Sequence, residues 1–387
     1  MHRRNITVNM RNVNFIGLLT ILVFALAPSF YWPQAEIPYE VPKVWLYMRV
    51  IEFLFLVSLL GFYFKKIRQT NDIDPKTFLF LIVFLVVTLI ASLLGSDLGK
   101  SIYGNYYRVD GLITLYHLAA FSFLLALFWQ RKWQNLLAIG LFLGGVSAAM
   151  LNTFGQPNFL AGFLLVTLPF GIYCLTKKLF GKLTRLVVGL GVIAMVIATV
   201  KTGSWLGITC ILLLVPLWIL ITSRKNIFLI GALVTTFLVI SLSLWAINFN
   251  RLNSNPTSYI AEGRERVYRN TFLGAIKRPL LGYGWANADY AFEAVVWPIK
   301  FDSDVYVDKA HMYILEIFAT TGVVGLAFYL LLTYRVLTLL WVKKSLFTNV
   351  LLTSLVLYFL HSQTNVTSIS QELVFWLGLG YAMRKPV

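Results

Sequence analysis

Charge is scarce in this chain. Only 13% of its 387 residues are charged, acids number 16, and there are four histidines and two cysteines. Soluble domains carry about 25% charged residues, so an ordinary soluble fold is excluded. The cysteines, Cys174 and Cys210, both fall inside apolar runs. That placement suits core filler and rules against a disulfide framework or a thiolate metal site. The histidines (His2, His117, His311 and His361) lack ligand spacing, and no low-complexity tract or clear internal repeat is present. Acids within apolar runs are few as well; Glu52, beside Arg49, lies near one end of its run. Transporters usually show repeats or mid-span charge, so a transporter or flippase of an anionic lipid-linked solute is a less favoured reading, and a catalytically silent interaction protein is a third.

What the chain has in abundance is apolar sequence. It is 58% hydrophobic with a mean hydropathy of +0.75. Apolar runs near 20 residues recur throughout, long enough to span a bilayer as helices and too unalternating for barrel strands. The expected fold is all-α, a polytopic membrane bundle of about 12 transmembrane helices. The runs lie near 14–32, 44–64, 77–95, 111–129, 134–151, 158–176, 184–200, 205–222, 227–247, 322–342, 346–363 and 370–383. The first follows Arg3, Arg4 and Arg11 like a signal peptide, but its length and Pro28 after Ala25-Leu-Ala27 favour a retained helix. Residues 1–247 read as an N-terminal bundle of about nine spans, 248–321 as one large extracytoplasmic loop containing amphipathic helices, and 322–387 as about three further spans.

Net charge is +17. In a soluble protein that surplus points to nucleic acid; here most cations sit in short connections. One set of alternate connections holds 19 of the 33 Lys and Arg, the other only Lys43, Lys100, Arg108 and Lys201. The positive-inside rule then puts both termini in the cytoplasm and the long polar segment outside. Trp32, Trp45, Trp129, Trp133, Trp205, Trp245 and Trp341 fall near run ends, as an interfacial belt requires.

The segment from Asn248 to His311 is the only long polar stretch between apolar runs. It holds Arg251, Arg264, Arg266, Arg269, Lys277, Arg278, Lys300 and Lys309. Gly263 to Lys277 reads as an amphipathic helix with Tyr268, Phe272 and Ile276 on one face, ended by Pro279. A second helix is expected from Ala310. Two readings stand for Arg266, Arg269 and Lys277: contact with lipid headgroups, or part of an anion site. The same pair of readings stands for Arg108. Arg264, at a helix N-terminus, suits a phosphate shared between a guanidinium and free backbone N–H groups. His311 is either bonded to backbone or poised as acid or base near neutral pH. His117 reads as a satisfied buried histidine and His361 as a weaker acid/base candidate. Asp302, Asp304 and Asp308 lack a recognised metal-loop spacing and read as solvated.

These residues carry a resemblance. Gly263-Arg264, the helix after it, Arg278-Pro-Leu-Leu-Gly-Tyr-Gly284, Ala310-His311-Met-Tyr-Ile-Leu-Glu316 and Thr321-Gly-Val-Val-Gly325 occur in the order seen in the O-antigen ligase and polymerase family. Arg108-Val-Asp-Gly111 and Phe154-Gly-Gln-Pro-Asn-Phe-Leu-Ala161 resemble it too. The resemblance implies a membrane glycosyltransferase that moves a glycan from an undecaprenyl-diphosphate carrier to a lipid or glycan acceptor hydroxyl at the outer face of a bacterial inner membrane. It covers O-antigen ligases of lipopolysaccharide biosynthesis, polymerases and protein O-oligosaccharyltransferases alike. It implies Arg264 and His311 as the catalytic pair, with Arg264 on the diphosphate and His311 on the acceptor hydroxyl. Arg278, Arg108, Lys201, Arg269 and Lys309 are the expected diphosphate- and substrate-binding set. It implies no metal, nucleotide or other cofactor, and no nucleic-acid partner. Two positions depart from the pattern: Trp205 stands where many members have arginine, with Lys201 nearby, and Met312 follows His311 where asparagine is usual.

Overall fold

A computed structural model describes residues 15–63, 72–177, 179, 181–223, 264–296 and 307–385. The run at 227–247, Gly263, Lys300, Asp302 and Asp304 lie outside the described residues. Fourteen α-helices are described: α1 Phe15–Leu26, α2 Glu40–Tyr63, α3 Pro75–Leu93, α4 Leu98–Tyr103, α5 Leu112–Phe128, α6 Trp133–Leu151 and α7 Pro157–Thr176. They continue with α8 Lys182–Lys201, α9 Trp205–Ser223, α10 Arg264–Ala275, α11 Ala288–Val296, α12 Tyr313–Val342, α13 Leu346–Ser362 and α14 Ile369–Met383. Among the described residues the only sheet is one antiparallel pair of two-residue strands, β1 Asp72–Ile73 with β2 Arg384–Lys385. Seven of these helices (α2, α3, α6, α7, α8, α9 and α12) are long and apolar enough to cross a membrane. The architecture is that of an all-α polytopic membrane protein.

The helices start where the local chemistry starts them. Asp74 Oδ2 accepts the Thr77 N–H at 3.0 Å and Pro75 opens α3. Ser345 and Thr348 form a capping box on α13, and Ser368 caps α14 through the Gln371 N–H. Each side chain satisfies an end amide that the helix itself cannot. Asp74 also takes the Arg335 guanidinium of α12, so one carboxylate starts α3 and ties it to a neighbouring helix.

Helix α7 is the most enclosed of the seven long helices, while α8 is the most peripheral. Cys174 and Cys210 are free and buried, as core filler should be. Trp32, Trp45 and Trp205 are about half exposed; Trp205 opens α9, Trp45 lies in the second turn of α2 and Trp32 in the connection before it. Trp129 and Trp133 correct the expectation of an interfacial belt. Both are buried, and Trp129 packs edge-on to Tyr381 at 4.9 Å and near Phe347, because α14 and α13 close over that end of the bundle.

Helix α12 is broken at Gly322, whose φ of 65° lies in the left-handed region. The Pro279–Gly284 turn docks on that break. Tyr283 and Gly284 donate to the carbonyls of Ala319 and Thr320 at 2.9 Å, and Val323 donates to Pro279 O at 2.7 Å. A Cβ at 322 would stand 2.2 Å from the Leu280 carbonyl, so only glycine permits the contact. The Pro-Leu-Leu-Gly-Tyr-Gly and Thr-Gly-Val-Val-Gly segments are thus two halves of one backbone joint. It holds the 264–296 region against the helix that follows His311.

Candidate functional site

A cavity opens where the start of α2, the 104–111 loop, the 307–312 segment, the first turns of α12 and the α13–α14 connection meet. With its open mouth included, it encloses about 880 Å³. His311, Arg108 and Lys309 line it, beside Asp110, Glu316, Glu40 and Glu372.

The 104–111 loop is fixed internally. Asp110 Oδ1 accepts the Asn105 N–H at 3.0 Å, Asn105 Oδ1 accepts the Tyr107 N–H at 3.0 Å, and the Trp285 indole N–H binds Asp110 O at 2.9 Å. The loop presents Arg108 and Asp110 to the cavity. Arg108 Nε donates to Asp308 Oδ2 at 2.7 Å, and its guanidinium lies 5.3 Å from the Phe159 ring. Lys309 pairs closely with Asp110 and reaches Glu316 Oε1 at 3.0 Å. The other Glu316 oxygen accepts the Ala310 N–H at 2.7 Å. This clasp bends the chain back just ahead of His311, so α12 begins at Tyr313, not at Ala310 as expected.

Burial works against ionisation of Asp110, yet Lys309 outweighs it and holds the carboxyl below the ordinary carboxylate range. Burial likewise works against the Lys309 ammonium, but Asp110 and Glu316 more than reverse this and raise its pKa. Asp110 and Lys309 are therefore both charged at neutral pH.

His311 sits differently. Its φ is +54°, and Tyr268 OH reaches its carbonyl at 3.4 Å. Among the described residues neither ring nitrogen has a hydrogen-bond partner. Burial pushes the imidazole pKa below its ordinary value; Asp308 opposes this, while Arg264, Arg108 and Lys309 reinforce it. The ring is neutral at pH 7 and can take a proton. Of the four non-glycine residues with positive φ among those described, Ala286 and His311 line the cavity and Val109 lies between two residues that do. Backbone strain of this kind gathers at functional sites.

Arg264 opens α10 outside the cavity lining and reaches it through one lining residue. Its Nη2 donates to Asn365 Oδ1 at 3.0 Å, Asn365 lines the cavity, and the charge of Arg264 acts on His311. The structure therefore brings Arg264, His311, Arg108 and Lys309 to one place. Arg278, Arg269 and Lys201 do not line the cavity. Arg278 donates to Ser96 Oγ at 3.2 Å and stacks on Tyr283, Arg269 is exposed on α10, and Lys201 is exposed as the last residue of α8. His361 is fully buried, near Asn365 and Gln371. His117 is satisfied by Ile113 O at 2.7 Å and Glu52 at 3.0 Å.

Asp308 corrects the reading that it is solvated: it is partly buried as the Arg108 partner, because that loop and the 307–312 segment fold together. Nor is Lys309 an uncommitted cation, since two carboxylates hold it. Sequence reasoning also did not single out Glu40, Glu372, Asn365 or Trp285 as lining residues. Asp110 stood inside a recognised motif, and Glu316 follows His311 by five residues, but nothing local shows that both answer Lys309.

In the Phe154–Ala161 motif, Phe154 and its neighbour Thr153 have a supporting part. Lys43 Nζ donates to Thr153 O at 2.6 Å and lies 3.7 Å from the Phe154 ring centre, which ties α2 to the start of α7 beside the cavity. No curated protein matches the chain. The stretch 186–330 carries Arg264, His311, Lys309 and Glu316, whereas Glu40, Arg108 and Asn365 come from outside it, so the cavity joins that stretch to the rest of the bundle. Residues 186–330 match the model of the family described as O-antigen ligase.

Proposed function

We propose that this protein transfers a glycan from an undecaprenyl-diphosphate carrier to an acceptor hydroxyl at the extracytoplasmic face of the bacterial inner membrane. The observation that supports it most is an imidazole, without a ring partner among the described residues, that shares one cavity with the Arg108 guanidinium and lies near Arg264, inside and beside the matched stretch. The charge bias of the connections favours an outward-facing cavity, with both termini cytoplasmic.

The chemistry follows from the charges. The donor is already activated, and its leaving group is a diphosphate. An acceptor oxygen attacks the anomeric carbon, the bond from that carbon to the phosphate oxygen breaks, and the hydroxyl proton passes to His311. A positioned base of this kind contributes about 10²–10⁴-fold. Arg264 beside the cavity, with the terminal nitrogens of Arg108, meets the departing diphosphate by charge-assisted hydrogen bonds. Lys309 acts through the ion network, holding Asp110 and Glu316 so that the His311 backbone keeps its place. One displacement on one face inverts the anomeric centre. Arg278, Arg269 and Lys201 belong to an approach path for the anion in this reading, not to the reacting atoms.

The test uses purified protein in lipid nanodiscs, an undecaprenyl-diphosphate glycan and an acceptor. Wild type should release undecaprenyl diphosphate. Arg264→Ala should slow release about 10²–10³-fold, as loss of one oxyanion donor does, and His311→Ala by the factor given above. Release at the wild-type rate by both folded variants removes these residues from the reaction.

A further inference from the structure

Glu40 opens α2 and is only 7% exposed, yet its side chain borders the cavity. One carboxylate oxygen, Oε1, accepts the Ile369 N–H at the start of α14. The other, Oε2, is buried with no hydrogen-bond partner among the described residues. Lys43, nearly one turn on, does not fill that role, because its ammonium is committed to Thr153 O and the Phe154 ring. A buried carboxylate oxygen left without a donor is costly and rare. Such an atom beside an open cavity marks where a ligand donor belongs.

Its chemistry narrows the ligand. A carboxyl oxygen accepts hydrogen bonds. It offers a diphosphate no donor to match its own acceptors and suits a group rich in hydroxyls. The cations that suit an anion, Arg264 and Arg108, stand outside the lining and on the 104–111 loop. Trp285, fixed by its indole bond to Asp110 and its backbone bond to Ser92 Oγ at 3.1 Å, adds an aromatic surface to the same cavity. Carboxylate and aromatic surface together match a sugar ring, which has polar edges and apolar faces.

We propose that Glu40 is a sugar-recognition residue: its Oε2 accepts a hydrogen bond from a ring hydroxyl of the glycan seated in the cavity. The proposal deepens the transferase reading and rests on it. It separates two parts of the substrate, the diphosphate with the arginines and the first sugar with Glu40.

Binding to the full chain in nanodiscs tests it with two kinds of probe. One is undecaprenyl diphosphate alone. The other is undecaprenyl diphosphate bearing a single N-acetylglucosamine, galactose or rhamnose. Wild type should bind at least one sugar-bearing lipid more tightly than the bare lipid, by about 10-fold or more, the worth of a hydrogen bond to a charged group. Glu40→Gln keeps an acceptor for Ile369 but turns an amide N–H₂ toward the cavity. It should lose that increment while bare-lipid affinity stays unchanged. Glu40→Asp, which withdraws the carboxylate from the cavity, should do the same and serves if Glu40→Gln does not fold. An increment that survives in the folded variant, an increment absent from wild type with every sugar, or equal weakening of both lipids overturns the proposal; Oε2 then binds water only or acts on the whole site. If wild type binds neither lipid, the donor reading fails by itself, and millimolar methyl glycosides decide the rest. Glycoside binding lost in the variant keeps the sugar site, and no glycoside binding removes it.

Discussion

Arg108 Nε reaches Asp308 Oδ2 at 2.7 Å across 200 residues of chain. Beside it Lys309 closes on Asp110, so adjacent residues of one segment exchange charge with alternate residues of another. The two contacts sew the 104–111 loop to the strip that carries His311. Opposite charges at all four positions make this register specific, since a slip by one residue would set like charges face to face.

Lys309→Met should therefore be among the more damaging single changes outside the apolar core. It leaves Asp110 and Glu316 without their cation in a largely enclosed place, at a cost of about 3 kcal/mol. Adding Glu316→Gln should recover part of that loss. Thermal unfolding of the purified variants in one detergent checks both, and a Lys309→Met melting temperature equal to wild type refutes the arrangement.

The pH profile should reveal the His311 environment. Its pKa lies below the ordinary histidine value, and the neutral ring is the active form as a base. Above that lowered pKa the ring stays neutral and release of undecaprenyl diphosphate is sustained. As pH falls through it the ring is protonated and kcat/KM drops. The acid limb should thus lie below about 6.5. Arg264→Ala removes one cation that depresses this pKa, so its residual activity should show the limb moved to higher pH.

At the joint, Gly322→Ala should destabilise the protein by about 2 kcal/mol or more. A positive φ costs a non-glycine residue about 1–3 kcal/mol, and the added Cβ would overlap the Leu280 carbonyl. Limited proteolysis should then cut in the 276–287 region, which loses its dock. An uncut, equally stable variant contradicts the packing described.

The seven long apolar helices among the described residues were legible because each rests on its own apolar run. Of the twelve runs, those at 134–151, 158–176 and 205–222 end within two residues of α6, α7 and α9. The tenth was placed from 322, yet α12 extends back to Tyr313 across the Gly322 break, since a kink stabilised by a distant turn leaves no mark on local hydrophobicity. Arg264 and His311 were legible as residues because cations and a lone histidine stand out in an apolar chain. Their surroundings were not. Asp110, Asp308 and Glu316 look like ordinary loop and helix acids until the fold brings them to Arg108 and Lys309. Glu40 opens an apolar helix, and only its unpaired oxygen distinguishes it.

Val109, Ala286 and His311 share one uncommon backbone twist around a single hollow. The protein's own hydrogen bonds hold that twist: Asn105 O accepts the Val109 N–H, and Tyr268 OH reaches the His311 carbonyl. A ligand arriving there meets a receptacle already in its working outline and has little left to reshape. Association should then resemble a key entering a cut lock, and selectivity between sugars will come from the fit of the walls, not from a closing movement.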